Sequence, residues 1–286
     1  MTDSVTETAH AKANLFLRVL TKDAGGYHSL ETLFCRLELA DSLVARRVEG
    51  GAVTLAGEGA ALGPPEENLA VRAARALLPL LRTPFGVELT LTKRIPVGAG
   101  LGGGSADAAA ALRAVNRLAD NRLPRAELFH LAARLGADVP FCLGETSLAL
   151  AWGHGERMLA LPALPSAPVL LLTPPVPVRT ADAYAWLDAA RTSPPSRGAL
   201  ALDGPALAAW SDVARMAGND FESVVFGRLP QVREAFEALA RTAPLLCRMT
   251  GSGSTLFAVY RGEQDRDDAR MLLGKKHGLL TATRTL

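Results

Sequence analysis

The run most suited to chemistry is Pro96-Val-Gly-Ala-Gly-Leu-Gly-Gly-Gly-Ser105, which continues into Ala106-Asp-Ala-Ala-Ala-Ala-Leu112. Gly98, Gly100, Gly102, Gly103 and Gly104 leave its backbone almost bare. Glycine reaches positive φ without strain and lets the main chain approach an oxyanion with no Cβ in the way. Ile95-Pro96 closes a predicted strand and Ala106 opens a predicted helix, so the glycines fill a strand-to-helix turn. Free N–H groups meet the positive end of a helix dipole at such a turn, and a phosphate chain suits both. Ser105 adds a hydroxyl donor at the helix start, and Ala108 to Ala111 permit close packing of that helix on a sheet. The expected chemistry is therefore phosphate binding.

Several phosphate-binding folds are excluded. Gly98-Ala-Gly100-Leu-Gly-Gly103 formally fits the dinucleotide fingerprint. That fold needs a second strand ending in an acidic residue. Here Asp120 is followed by Asn121-Arg-Leu-Pro124 and another predicted helix. The chain has no Walker lysine motif and none of the V-A-I-K, H-R-D and D-F-G signatures of protein kinases.

Two charged residues are candidates for the reaction itself. Asp138 lies between Gly136 and Pro140, where the chain turns and can present a carboxylate; a cap or turn aspartate is the reading the residues alone favour. Lys12 lies in Ala11-Lys-Ala-Asn-Leu-Phe-Leu17, where alternation sends Lys12, Asn14 and Phe16 to one side. The pattern by itself favours a solvated edge-strand lysine.

The elements that must position these residues are mixed. Strands are predicted at 13–20, 31–39, 53–55, 87–92, 147–152 and 169–172, with a β-turn-β unit over 245–260. Helices are predicted from near Asn68, over 106–120 and 124–135, and around 181–191, 205–210 and 232–241. Asn68 reads as a helix cap. The uncharged stretch 158–178 carries too many prolines to span a membrane, and reads as loop, strand and turn. Pro194-Pro195 and Gly198 to Pro205 are the most linker-like segments.

Composition narrows the function. At 286 residues two lobes are expected, here 1–165 and 166–286. A net charge of +2, from 31 Lys and Arg against 29 Asp and Glu, implies neither a nucleic-acid nor a membrane partner. Cys35, Cys142 and Cys247 form no metal or redox pair, so a reducing compartment is expected. Met1 to Thr8 is polar and acidic, without the signature of a secretory signal, and a cytoplasmic protein is the expectation.

The glycine run resembles the central motif of the GHMP small-molecule kinases. Ala11 to Leu17 followed by Gly26-Tyr-His28, Gly136-Ala-Asp-Val-Pro-Phe141, Asn219-Asp-Phe-Glu222 and Met249-Thr-Gly-Ser-Gly-Ser254 resemble further motifs of that family, in order along nearly the whole chain. The resemblance implies a two-lobed α/β (α+β) fold with mixed and antiparallel sheets packed with helices. It implies ATP and Mg²⁺ as cofactors, with the nucleotide on Pro96, Gly98, Gly100, Leu101, Gly102, Gly103, Gly104 and Ser105, flanked by Lys93 and Asn68. By the same likeness Asp138 is the base, Lys12 pairs with it near the acceptor hydroxyl, and Asn14, Tyr27, His28 and Tyr184 hold the acceptor. His28 would bond the edge of a cytosine and Tyr27 would stack on its face, with Tyr184 closing a sandwich. The implied acceptor is a cytidine diphosphate-linked methylerythritol, which such a kinase would phosphorylate for isoprenoid biosynthesis. Homoserine- and mevalonate-type kinases are the near alternatives; a nicotinamide dehydrogenase and a non-catalytic ATP-binding module are the distant ones. The family commonly carries a second serine where this chain has Ala106, which leaves Ser105 the only hydroxyl at the loop's end and no assigned metal ligand.

Overall fold

A computed structural model of the chain describes residues 3–23, 25–59, 62–81, 85–191 and 207–286. The two linker-like segments, Pro194-Pro195 and Gly198 to Pro205, lie outside the described residues. The chain forms two compact units, one of Met1–Ala11, Leu39–Val97 and Gly102–Glu145, the other of Lys12–Glu38, Gly98–Leu101 and Thr146–Leu286. The compact units therefore do not part at the linear boundary near residue 165. Two long strands, β1 (Ser4–Lys22) and β2 (His28–Val48), each contribute one stretch to either unit.

In the first unit, β3 (Val53–Glu58), α1 (Leu69–Leu77) and β4 (Gly86–Thr92) precede α2 (Gly103–Leu118), α3 (Arg125–Leu135) and α4 (Val139–Leu143). β4 runs antiparallel to β2, with Leu43 opposite Leu91 and Ala45 opposite Leu89, and parallel to β3. Those four side chains are fully buried, as period-two alternation requires. Helix α2 buries Ala108 to Ala111, and its small residues admit α1 and α4 at close range. It starts three residues earlier than expected, because Gly102 in the left-handed conformation (φ 69°) serves as its N-cap and Gly103 and Gly104 form its first turn.

The second unit contains β5 (Leu148–Gly153), β6 (Arg157–Leu161), β7 (Pro168–Thr173), α5 (Thr180–Ala190), α6 (Trp210–Met216), β8 (Gly218–Asn219), α7 (Phe221–Arg228), α8 (Pro230–Ala240), β9 (Leu246–Met249), β10 (Leu256–Val259), α9 (Glu263–Leu273) and β11 (Leu279–Arg284). β11, β7, β10 and β9 form a fully antiparallel sheet. Its apolar face joins Leu17 and Val19 of β1 with Val225, Val232, Ala235 and Leu239 of α7 and α8. β5 pairs antiparallel with β2 and with β6, and β8 parallel with β1. Mixed and antiparallel sheets packed with helices are thus present, as expected. β6 escapes the sequence because its side chains are largely exposed, so no apolar alternation marks it. Helix α6 begins at Trp210, where a helix was expected to end. No helix among the described residues is long and apolar enough to cross a membrane.

Candidate functional site

The strand-to-helix turn has the backbone geometry its glycines implied. No side chain caps α2, so the first-turn N–H groups stay available to an anion at the positive end of a 16-residue helix. Gly98, Gly100 and Gly102 all have positive φ (67°, 80° and 69°), a region costly for side-chain-bearing residues. Ser105 sits in the first turn, partly exposed.

Beneath the turn lies a buried ion cluster. Lys93 Nζ donates to Asp41 and to Asp107 Oδ2 (2.6 Å), and all three side chains are at most 5% exposed. Asp41 also accepts from the backbone N–H of Arg94 and of Ile95 (2.8 Å), which fixes the exit of β4 into the turn. A Cβ on Gly103 would come within 3.4 Å of Lys93 Nζ, so the ammonium lies directly under the helix start. Lys93 was expected to offer positive charge beside the loop. Its charge is instead neutralised by two carboxylates inside the fold, which makes it a brace. Burial pushes the Asp107 carboxyl up to about 7, the Lys93 ammonium opposes that, and the Asp41 carboxylate adds to it. The cluster holds two carboxylates for one ammonium, and Asp107 Oδ1 has no hydrogen-bond partner among the described residues.

Asn68 caps α1 through Oδ1 and the Ala70 N–H (2.9 Å), as its position implied. Asp138 occupies the N-cap position of α4 but its side chain makes no cap hydrogen bond there. The plain capping role is thereby removed. In the same unit Arg113 binds Glu7 and the carbonyls of Thr8 and Cys142, tying α2 to β1 and α4.

In the second unit, Lys12 is buried rather than solvated, 3% exposed. Its Nζ donates to Asn14 Oδ1 (2.8 Å) and lies 5.4 Å from the centre of the Phe34 ring. Its backbone N–H donates to the Leu101 carbonyl (3.0 Å), joining β1 to the glycine turn. Asn14 is the hub of this region: Oδ1 also accepts from the Gly251 N–H (3.0 Å), and Nδ2 donates to Thr32 Oγ1 (2.8 Å). The Asn14 N–H donates to Thr250 Oγ1 (3.1 Å). Gly100 and Gly251 pass so closely that a Cβ on Gly100 would fall 2.3 Å from the Thr250 carbonyl oxygen. Glycine is required at both positions by this approach.

The run Asn219-Asp-Phe-Glu222 is the frame around that contact. Asn219 Nδ2 donates to the carbonyls of Met249 and Gly251 (both 2.8 Å), and its Oδ1 accepts from the Phe221 N–H. Asp220 accepts from the Val19 N–H (2.7 Å) and Glu222 from the Met249 N–H (2.9 Å).

The aromatic residues divide. His28 stacks on Tyr184, with centroids 4.8 Å apart and planes 18° apart, and Tyr184 meets Phe221 edge-on. Tyr27 is 68% exposed and tilts over His154, which is hydrogen-bonded to Asp23. One face of Tyr184 is therefore taken by His28, and Tyr27 is the exposed ring. The sequence reading missed Asp41, Asp107 and Asp188, none of which sits in a spacing that marks it. The three cysteines are free thiols, and burial pushes those of Cys35 and Cys247 up to about 12.

An uncapped, glycine-rich helix start braced from below by a buried ion cluster is suited to an anion. Residues 68–145 match the GHMP kinases N terminal domain and residues 205–273 the GHMP kinases C terminal family. The 4-diphosphocytidyl-2-C-methyl-D-erythritol kinase of Parvibaculum lavamentivorans is 41% identical over 97% of this chain and 96% of its own. That of Thiobacillus denitrificans is 42% identical over 93% and 88%. A crystal structure of 4-(cytidine 5'-diphospho)-2C-methyl-D-erythritol kinase superposes with a TM-score of 0.81 at 36% identity, over 98% of this chain and 99% of that one. Homoserine kinase from Cytophaga hutchinsonii, 21% identical over 100% and 95% of the two chains with a TM-score of 0.73, shares the fold. The chain belongs to the GHMP kinases and, within them, to the 4-diphosphocytidyl-2-C-methyl-D-erythritol kinase family.

Proposed function

We propose that the chain transfers the γ-phosphoryl group of ATP to a hydroxyl of 4-diphosphocytidyl-2-C-methyl-D-erythritol, giving the 2-phosphate and ADP. The observation that carries this reading is the full-length relationship to that family. Phosphoryl transfer needs positioning and charge neutralisation more than covalent help from the protein. Backbone N–H groups of residues 98–105 bind the phosphates, with no side chain at the glycines to hold them off. Asp138 takes the acceptor proton, and the Lys12 ammonium offsets charge as it shifts in the transition state. The only hydroxyl at the helix start is Ser105, and the described residues contain no group of three His, Cys, Asp or Glu able to hold a metal. That donor set fits Mg²⁺ arriving on the triphosphate and neutralising it, with few ligands from the protein.

The test is ADP release with 4-diphosphocytidyl-2-C-methyl-D-erythritol, homoserine and mevalonate as acceptors. Turnover is expected with the first alone. Asp138→Asn should lower kcat by about 10²–10⁴ while the folded variant still binds ATP. A folded Asp138→Asn enzyme with wild-type kcat excludes the base assignment, and turnover of another acceptor excludes the substrate.

A further inference from the structure

The geometry points to Asp188 as the residue that gives His28 its preference for a cytosine over a uracil, by fixing which ring nitrogen carries the proton. This inference rests on the cytidine-linked acceptor proposed above.

Asp188 lies on α5, one turn beyond Tyr184. Its Oδ1 is 2.7 Å from His28 Nε2, and Lys22 Nζ is 3.2 Å from Oδ2. Burial alone would raise the Asp188 carboxyl. The hydrogen bonds from His28 and Lys22 outweigh it, the Lys22 ammonium adds to them, and the group is held below its ordinary value. An ionised carboxylate accepts hydrogen bonds and donates none, so Nε2 must be the donor. A neutral imidazole with Nε2–H has a lone pair on Nδ1, and Nδ1 takes no bond from the described residues. The stack on Tyr184 fixes the ring plane, and the His28 side chain is only 7% exposed, so the ring has little freedom to turn.

Nδ1 is then an acceptor held in place. The exocyclic amino group of cytosine can donate to it; uracil offers a carbonyl oxygen at the same position and sets two lone pairs against each other. Burying a polar pair that cannot bond is the costly outcome from which such sites draw selectivity. Asp188 touches neither base nor reacting atoms and acts only through the imidazole. It is a positioning residue.

Asp188→Asn keeps the size of the side chain and lets it donate to Nε2, which frees the ring to move its proton to Nδ1. The experiment compares wild type and Asp188→Asn in two readouts. The first is the ratio of kcat/KM for the cytidine- and uridine-linked acceptors, which should fall at least about tenfold in the variant, through KM more than kcat. The second is the ¹⁵N NMR signature of His28 in substrate-free protein near about pH 8, which should report Nε2–H in wild type and a shift towards Nδ1–H in the variant. A wild-type ring protonated at Nδ1 overturns the inference even if the variant does not fold, and so does an unchanged nucleotide ratio in a folded variant. If neither acceptor is turned over by wild type, the proposed substrate is wrong, whereas the Nε2–H signature still supports Asp188 as the residue that sets the tautomer.

Discussion

The two glycine-rich stretches are held by anchors of opposite kinds. In the first unit, the turn into α2 rests on Lys93 between Asp41 and Asp107, three fully ionisable groups taken out of water. In the second, the Thr250–Gly253 loop rests on Asn14, Thr32 and Asn219, which exchange hydrogen bonds with backbone and carry no charge. Both solve one problem: a backbone too bare to hold itself must be fixed by buried polar side chains. They differ in what failure costs. A neutral bond lost inside the fold costs the desolvation of its orphaned partner, while a buried ion stripped of its counter-ion costs several times more. The charged anchor also couples the turn to pH.

The sharpest way to break this contrast is Lys93→Met. It leaves Asp41 and Asp107 facing each other with no ammonium, and should cost about 3–5 kcal/mol in denaturant unfolding while raising the KM for ATP. Stability within about 1 kcal/mol of wild type would mean that Lys93 does not brace the turn. Asn219→Leu is the neutral counterpart. It strips the donor from the Met249 and Gly251 carbonyls and the acceptor from the Phe221 N–H, and should cost about 1–3 kcal/mol, with the same pH dependence of melting as wild type.

Asp107→Asn has the smallest effect and sharpens the comparison through pH. The Asp107 pKa of about 7 in the fold exceeds its value in the unfolded chain. Between about pH 4 and 7 the folded state therefore keeps a proton that the unfolded state has released, and the carboxyl subtracts stability as pH rises through that window, with no further change above it. Asp107→Asn should lose this slope, so its Tm should gain on that of wild type as pH is raised across the window and run parallel above it. Melting curves that stay parallel throughout would place the excess negative charge elsewhere.

Much of this site was legible because backbone requirements leave a compositional mark. Positive φ and close approach admit few residues besides glycine, so Gly98, Gly100, Gly102 and Gly251 advertise themselves, and Asn68 before an apolar helical run reads as the cap it is. Lys12 and Asp138 were visible only through their likeness to a family, since one alternating strand and one Gly-Ala-Asp turn occur in many folds. Asp41, Asp107 and Asp188 left no mark, because a carboxylate's partner is chosen by distance in space.

The sequence by itself determined the glycine-rich strand-to-helix turn, the mixed α/β class and the exclusion of the dinucleotide and Walker folds. These follow from local properties: glycine content, residue periodicity and capping, each expressed within a few neighbours along the chain. Only the tertiary structure decided that Lys93 is a brace rather than a free cation, that Lys12 is buried, and that His28 stacks on Tyr184 with its Nε2 against Asp188. Those facts depend on residues as far apart along the chain as the 160 positions between His28 and Asp188. The charge, burial and proton of such a side chain are set by what folding brings beside it, and a string of residues does not record that neighbour.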